Sequence, residues 1–491
     1  MKPYEILLSG VTLLPILGVI TLLIWRKATK TQAAIVGIIS ESFALVIPIV
    51  LLSTLRREDV IFFSLPWIPN MQISFSLELS WLAIVFLLTE VLATLAAMIY
   101  SLGDKDGEKN SNHYYALLLL FSLGMSGTTL SDDVFLFYIF WELMLIASVL
   151  LILVWGHGEI RFRVSLKYFI ITHLGSLMVL VCLIILYVNF GTASLSELMV
   201  HASTLSTNMQ VFLTTFFIIG FCVKMAIFPL HIWLPDAHTV APMPVTIILA
   251  AAMLAMGTFG VLRFPFSLFP IESIQPFAVW LMIGGLMSEV YGALMALAEQ
   301  EIKRIIAYSS VSQMGYILFG LGTLTGRGMQ GSIMHVVYHA IVKALLFMVV
   351  GIIIANTKQR DIRNVGGLGK KYPILTVCGA IGVLGISGMP PLGIFNSEWM
   401  IFAGGFDSGI SITLTVLTLI GSLLTLVYAL RFFGRIFFGA QKPDSLLEKS
   451  PRSLLVPTIA LTTFLIIEGL APGPLLSWAI RGLTGIFGGL L

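Results

Sequence analysis

Residues Phe216 to His238 read F-F-I-I-G-F-C-V-K-M-A-I-F-P-L-H-I-W-L-P-D-A-H. The first half has the unbroken apolar character of a membrane-spanning helix, yet it carries Lys224 and, five residues on, Pro229. An ammonium group in hydrocarbon is costly and is rarely present without a function. A proline inside a helix removes an amide donor and clashes with the preceding turn, which frees backbone carbonyls. A charge beside a backbone break is how a membrane helix builds an ion site.

The rest of the chain has the same character. It has 491 residues, 58% hydrophobic and 11% charged, where a soluble domain is about a quarter charged. Roughly 20 apolar residues cross a bilayer. Fourteen runs of about that length occur, near 4–25, 31–53, 78–102, 113–130, 133–155, 166–189, 209–229, 243–265, 275–298, 304–324, 331–355, 374–404, 411–434 and 453–472. The longest polar gaps, 54–77 and 190–208, leave no room for a soluble catalytic domain. The first run lacks a small-residue cleavage site and reads as a retained helix. No Gly/Ser-rich or Pro-rich linker divides the chain. The expectation is one all-α integral membrane domain, 1–491, of about fourteen transmembrane helices.

Loop charge predicts orientation. With alternating spans, 20 of the 28 Lys and Arg residues fall on one face and 6 on the other, while Lys224 and Lys343 stay inside spans. The positive-inside rule places the first face in the cytoplasm and both termini outside. The lopsided count also supports fourteen spans.

Two spans are interrupted by proline: the seventh at Pro229 and the twelfth at Pro390 and Pro391. Interrupted helices at matching places in two halves mark an ion site in transporters. These lie five spans apart, which predicts a five-helix unit repeated once: spans 4–8 (113–265) and 9–13 (275–434). Helices 1–3 (1–102) precede the units, and helix 14 with its tail (453–491) follows. Each break has an ionisable neighbour, Lys224 or Glu398.

The spans hold further ionisable groups: Glu41, Glu90, Glu142, Glu289 and Glu468 on the acid side, Lys343 on the basic side. Glu142 and Lys224 lie at comparable depth in their spans. A carboxylate within about 4–6 Å keeps a buried lysine charged, and its withdrawal lets the lysine shed its proton. That is a proton switch; the alternative is a static ion pair. His335, His339 and Lys343 step by four and share one helix face. His-x-x-x-His can bind metal, but a third member that is lysine favours a proton relay, for which imidazole is suited near neutral pH. Glu398 follows the double proline and reads as an exit gate. His231, Asp236 and His238 follow Pro229 and read as a cytoplasmic proton entry, Asp236 alternatively as a helix cap. Glu41, Glu90 and Glu468 lie outside the repeat and are expected to face partner subunits or lipid head groups. Glu289 has no assigned role.

Cofactor chemistry has no footing here. Cys182, Cys222 and Cys378 are far apart and lack metal-ligand spacing. G-G-L-G-K-K, 366–371, lacks the leading glycine and trailing Ser/Thr of a phosphate loop. No cofactor and no metal is expected in this chain, and no nucleic acid partner.

The motifs F-W-E-L-M (140–144), V-K-M-A-I-F-P-L-H-I-W-L-P-D-A-H (223–238), E-I-K-R-I-I-A-Y-S-S-V-S-Q-M-G (301–315), H-V-V-Y-H-A-I-V-K-A-L-L-F (335–347) and P-P-L-G-I-F-N-S-E-W (390–399) together resemble one family. It comprises the antiporter-like subunits of complex I, membrane-bound hydrogenases and multisubunit cation/proton antiporters. The resemblance covers nearly the whole chain. It implies that the two five-helix repeats are inverted, that Glu142 and Lys224 pair in the first half-channel, and that Glu398 ends the second. Glutamate at 398 resembles the M-type branch of complex I, and Lys343 the L-type and antiporter branches. One departure stands out. M-type relatives carry a bridging lysine in span 8, in a pattern like L-K-M-G-T-Y-G, and this chain has L-A-M-G-T-F-G with Ala255 in that place.

The expected function is a cofactor-free, proton-translocating subunit of a multisubunit redox complex in a prokaryotic cell membrane, driven by neighbouring membrane subunits. Sodium in place of protons, a sodium/proton antiporter without redox partners, and a transport-inactive scaffold are the alternatives. An organic-solute transporter would need arginines in the spans, and none sits mid-span.

Overall fold

The computed structural model describes residues 2–25, 27–440 and 451–487. Arg26, Lys442 and Lys449 of the basic face, and the last four residues of the C-terminal unit, lie outside the described residues. Helices α1 (Pro3–Ile24) and α2 (Lys30–Glu58) open the chain. Strands β1 (Val60–Ile68) and β2 (Ile73–Ser80) follow, then α3 (Trp81–Ser101). The next helices are α4 (Ser111–Leu130), α5 (Val134–Trp155), α6 (Arg161–Phe190), the short α7 (Leu195–His201) and α8 (Thr207–Met225). Beyond the first break come α9 (Leu234–Val240), α10 (Met243–Ile248) and α11 (Leu254–Arg263), with the one-turn helices α12 (Pro265–Leu268) and α13 (Ile271–Ile274). The second half consists of α14 (Ala278–Ala298), α15 (Ile302–Gly322), α16 (Gly326–Thr357), α17 (Pro373–Ile386), α18 (Gly393–Asp407) and α19 (Ile412–Phe437). Helices α20 (Arg452–Leu470) and α21 (Gly473–Phe487) close the description.

Among the described residues, twelve helical stretches are long and apolar enough to cross a membrane. Helix α4 and the α17–α18 pair occupy the two remaining apolar runs of the sequence. Pro229 sits between α8 and α9, and Pro390 and Pro391 between α17 and α18, so both spans are broken where proline predicts. Helix α8 stops at Ala226, which takes a left-handed conformation (φ 56°). The Val223 carbonyl near the break is met by the indole N–H of Trp233, 3.0 Å away. At the second break Gly388 has φ +62°, a conformation glycine adopts without penalty.

Packing partners recur along the chain. Helix α4 lies along α5 as α14 lies along α15, and α6 lies along α8 as α16 lies along α18. That parallel supports the five-span units. Close approach relies on small residues: Gly124 faces the Met144 backbone, and Gly285 and Gly315 face each other's helices. Helices α15 and α16 are buried along nearly their whole length and form the centre of the bundle.

The gap at 54–77, expected to be a polar loop, is instead an antiparallel hairpin with Val60 opposite Ser80 and an irregularity between Pro66 and Ile68. Arg263, at the end of α11, binds Glu78 of β2 and ties the hairpin to the bundle.

Candidate functional site

In the first half, Lys224 is buried and its Nζ has no hydrogen-bond partner. The ammonium lies 4.9 Å from the Trp141 ring centroid, where the negative face of an indole attracts a cation. Trp141 is fixed by donating from Nε1 to Ser176 Oγ at 2.9 Å. Glu142, the next residue on α5, points elsewhere. Its Oε2 accepts from Nδ1 of His173 on α6, at 3.1 Å. Glu142 therefore acts on Lys224 as a charge across space, without an ion pair between them. Adjacent helix residues are turned by about 100°: the Trp141 ring meets Lys224 and Phe221 of α8, while the Glu142 carboxylate reaches His173 of α6.

His173 is a site residue the sequence reading missed. Its signal was present, an ionisable residue in F-I-I-T-H-L-G within the sixth apolar run. His173 and Glu142 side chains are 34% and 15% exposed, and the α5 and α6 surface around them is apolar, with Ile139, Ile146, Ile170 and Leu174 outward.

The residues after the first break part company. Asp236 forms ion pairs with Lys167 at 2.8 Å and Arg304 at 2.7 Å. It clamps α6 to α15 and is no free proton carrier, which corrects its reading as an entry group. His231 is buried against the Phe228 and Tyr291 rings, 5.7 and 4.8 Å away. His238 is not at a mouth at all. It is fully buried, both ring nitrogens lack partners, and its ring stacks on Phe347 of α16 at 5.2 Å. It lies within electrostatic reach of His339 and Lys343.

In the second half, His335, His339 and Lys343 share the inward face of α16, all buried. His335 is held on both sides, by Ser397 Oγ at Nδ1 and Gln313 Oε1 at Nε2, each at 3.0 Å. Nε2 of His339 has no partner. Lys343 donates to the Ile306 carbonyl at 3.0 Å and to the Ser309 hydroxyl. Glu398 is buried, with Oε1 unpartnered. Its Oε2 fills the space where Gly388 has no side chain, so a Cβ there would overlap it. Glu289 gains a place here. It is buried beside Tyr316 and within reach of Glu398, with Gly421 leaving room for its carboxylate.

A cavity of about 290 Å³ opens at the loop between α3 and α4, lined by Asp104, Asp106, His157, Lys303 and Arg360 among others. Asp106 meets His157 at 3.2 Å. Burial and the neighbouring Asp106 charge push the Asp104 carboxyl up to about 7. Lys303 donates to the Ala241 carbonyl at 2.8 Å and lies within electrostatic reach of His238.

Fold and site thus define a polytopic membrane protein with two broken spans and buried ionisable side chains in both halves. Residues 131–425 match the family model described as NADH:quinone oxidoreductase/Mrp antiporter, transmembrane. The chain is 34% identical over 431 residues to NADH-quinone oxidoreductase subunit M of Escherichia coli strain K12, covering 84% of this chain and 82% of that one. Its fold aligns with a chain of the membrane-bound sulfane sulfur reductase, an archaeal respiratory complex, at a TM-score of 0.88 and 27% identity, over 98% of this chain and 78% of that one. It aligns with a chain of the Mrp complex from Dietzia sp. DQ12-45-1b at a TM-score of 0.87 and 22% identity, over 99% and 98% of the two chains. The chain belongs to the NADH:quinone oxidoreductase/Mrp antiporter family.

Proposed function

We propose that this chain is the proton-translocating, antiporter-like subunit of a multisubunit membrane complex, and that its own residues move protons without a cofactor. One observation carries the reading. Lys224 Nζ, both nitrogens of His238, Nε2 of His339 and Oε1 of Glu398 are all buried and unpartnered. Buried polar groups are normally satisfied, so a run of open donors and acceptors is the arrangement that accepts water and passes protons. On this reading protons enter at the Asp104–Asp106 cavity and pass Lys303 to reach His238. They join those held on Lys224, move along His339 and Lys343, and leave by Glu398, with Glu289 beside it. His238 spans the joint left open by Ala255. Pro229, Pro390 and Pro391 supply the backbone breaks that admit water.

The Glu142–His173 pair is proposed as the receiving end for a neighbouring subunit. A carboxylate and an imidazole part-exposed on an apolar helix surface would be costly against lipid. The relatives are, by their names, a subunit of NADH-quinone oxidoreductase and members of Mrp and sulfane sulfur reductase complexes, which supports a partner at that face and a driving force from outside this chain. Loop charge supports a cytoplasmic basic face and outward termini.

The test is Lys224→Ala in the assembled complex, with ion pumping measured in vesicles. A fall of at least roughly a hundredfold, the scale of a lost proton-transfer group, is expected with assembly intact. Undiminished pumping removes the relay.

A further inference from the structure

The N-terminal helices hold acidic groups that the relay does not use. Glu41 on α2 and Glu90 on α3 were expected to face partners or lipid head groups. Both are instead 0% exposed, and none of their carboxylate oxygens has a hydrogen-bond partner. The two lie within electrostatic reach of each other. Ser122 stands beside Glu41, and Ser126, one turn further along α4, beside Glu90. Neither hydroxyl makes a well-formed hydrogen bond, although each is directed at the carboxyl group beside it. Their neighbours Thr128 and Thr129 bond the carbonyl one turn back, so the two serines leave unused an option that adjacent residues take. Oxygen atoms from three helices meet here with their bonding capacity open.

Nothing positive balances them among the described residues. The cations on surrounding elements are engaged elsewhere: Arg263 binds Glu78, Arg481 lies over the Trp81 ring, and Lys343 donates into α15. Glu468 of α20 and Tyr115 of α4 add no positive charge. Ionised carboxylates do not persist unpaired in such surroundings, so each holds a proton or a bound cation. An all-oxygen donor set suits hard cations and not transition metals. A divalent ion requires about six to eight oxygens or a retained water shell, whereas a monovalent ion replacing one proton leaves the buried charge unchanged.

We propose that Glu41, Glu90, Ser122 and Ser126 form a cation/proton exchange site, at which a hard monovalent cation such as sodium displaces one proton from the dicarboxylate. The protonated carboxyl loses its proton to solvent and the carboxylate oxygen takes the cation, so charge balances. A mainly apolar groove of about 380 Å³, bounded by α2, α3, α16, α20 and α21, reaches residues next to the site without exposing the four themselves. Leu45, one turn from Glu41, and Thr89, next to Glu90, line it, and Glu468 also lines it. The site stands apart from Lys224 and does not depend on the relay.

The test uses the full-length chain in its complex, made sodium-free in weakly buffered solution. Replacing choline chloride by sodium chloride at constant ionic strength should release about one proton per chain, since cation binding to a protonated ligand expels the proton. Glu41→Gln and Glu90→Gln should each abolish the release, and Lys224→Ala should keep it. Sodium should also raise the thermal midpoint of the wild type and not of the two Gln variants. If the Gln variants do not assemble, Ser122→Ala combined with Ser126→Ala is read instead, with sodium affinity expected to fall about tenfold or more, roughly the loss of one good ligand contact. No release from the wild type, release persisting in the Gln variants, or affinity unchanged in the serine double variant overturns the site. Release by calcium and not by sodium overturns the monovalent assignment.

Discussion

Lys224 lies over the Trp141 ring, while Glu142, the next residue along α5, is held by His173. The carboxylate is bonded to His173, so the charge that tunes Lys224 can be turned toward or away from it by whatever touches α5 and α6 from outside. The two partners should act as a unit. In pumping rates, Glu142→Gln and His173→Gln are expected to be non-additive, with a coupling of about 1–3 kcal/mol, the range for a charge-assisted hydrogen bond. Additive losses would contradict the pair. Asp104 gives a second residue-scale prediction. Folded, it keeps its proton to about pH 7; in the unfolded chain it loses it near 3.8. The folded state therefore binds more protons across that window, and stability falls as pH rises through it. Asp104→Asn should flatten the pH dependence of the thermal midpoint there, and an unchanged profile would contradict the burial argument. Rare ionisable residues made Glu142, Lys224, His339, Lys343 and Glu398 legible in the sequence. Their partners were not, because a rotation of one residue along α5, or a fold-back such as α9, decides who meets whom.

The elements were legible to different degrees. Apolar runs of bilayer length foretold the spanning helices, and Pro229, Pro390 and Pro391 foretold the two breaks, because proline cannot continue a hydrogen-bonded ladder. The hairpin was missed. V-I-F-F-S-L-P-W-I falls in a gap between apolar runs, yet its bulky residues favour strands, with Pro66 at the irregularity where a strand tolerates it. The short α9 was expected near a cytoplasmic mouth, yet its contact with α15 carries His238 inward. At the second break the unwound turn itself shapes the site. Gly388→Ala would place a Cβ in a left-handed position, at a cost of about 1–2 kcal/mol, and would displace the Glu398 carboxylate. The expected result is an assembled complex with pumping strongly reduced; wild-type pumping would show that Glu398 does not act where it lies.

Across the whole molecule, the two halves meet at a centre built from α15 and α16, and each half holds buried ionisable groups. Ala255 leaves a gap between these groups at span 8, and His238 is the fully buried, unpartnered group that lies within reach of His339 and Lys343. The proposed relay therefore depends most on this imidazole. The measurement is proton pumping in vesicles by the complex carrying His238→Gln, alone and with Ala255→Lys. The account predicts a fall of roughly a hundredfold, on the scale of a lost proton-transfer group, and partial recovery when a lysine is supplied at 255. Pumping at the wild-type rate by His238→Gln, in a fully assembled complex, would contradict it.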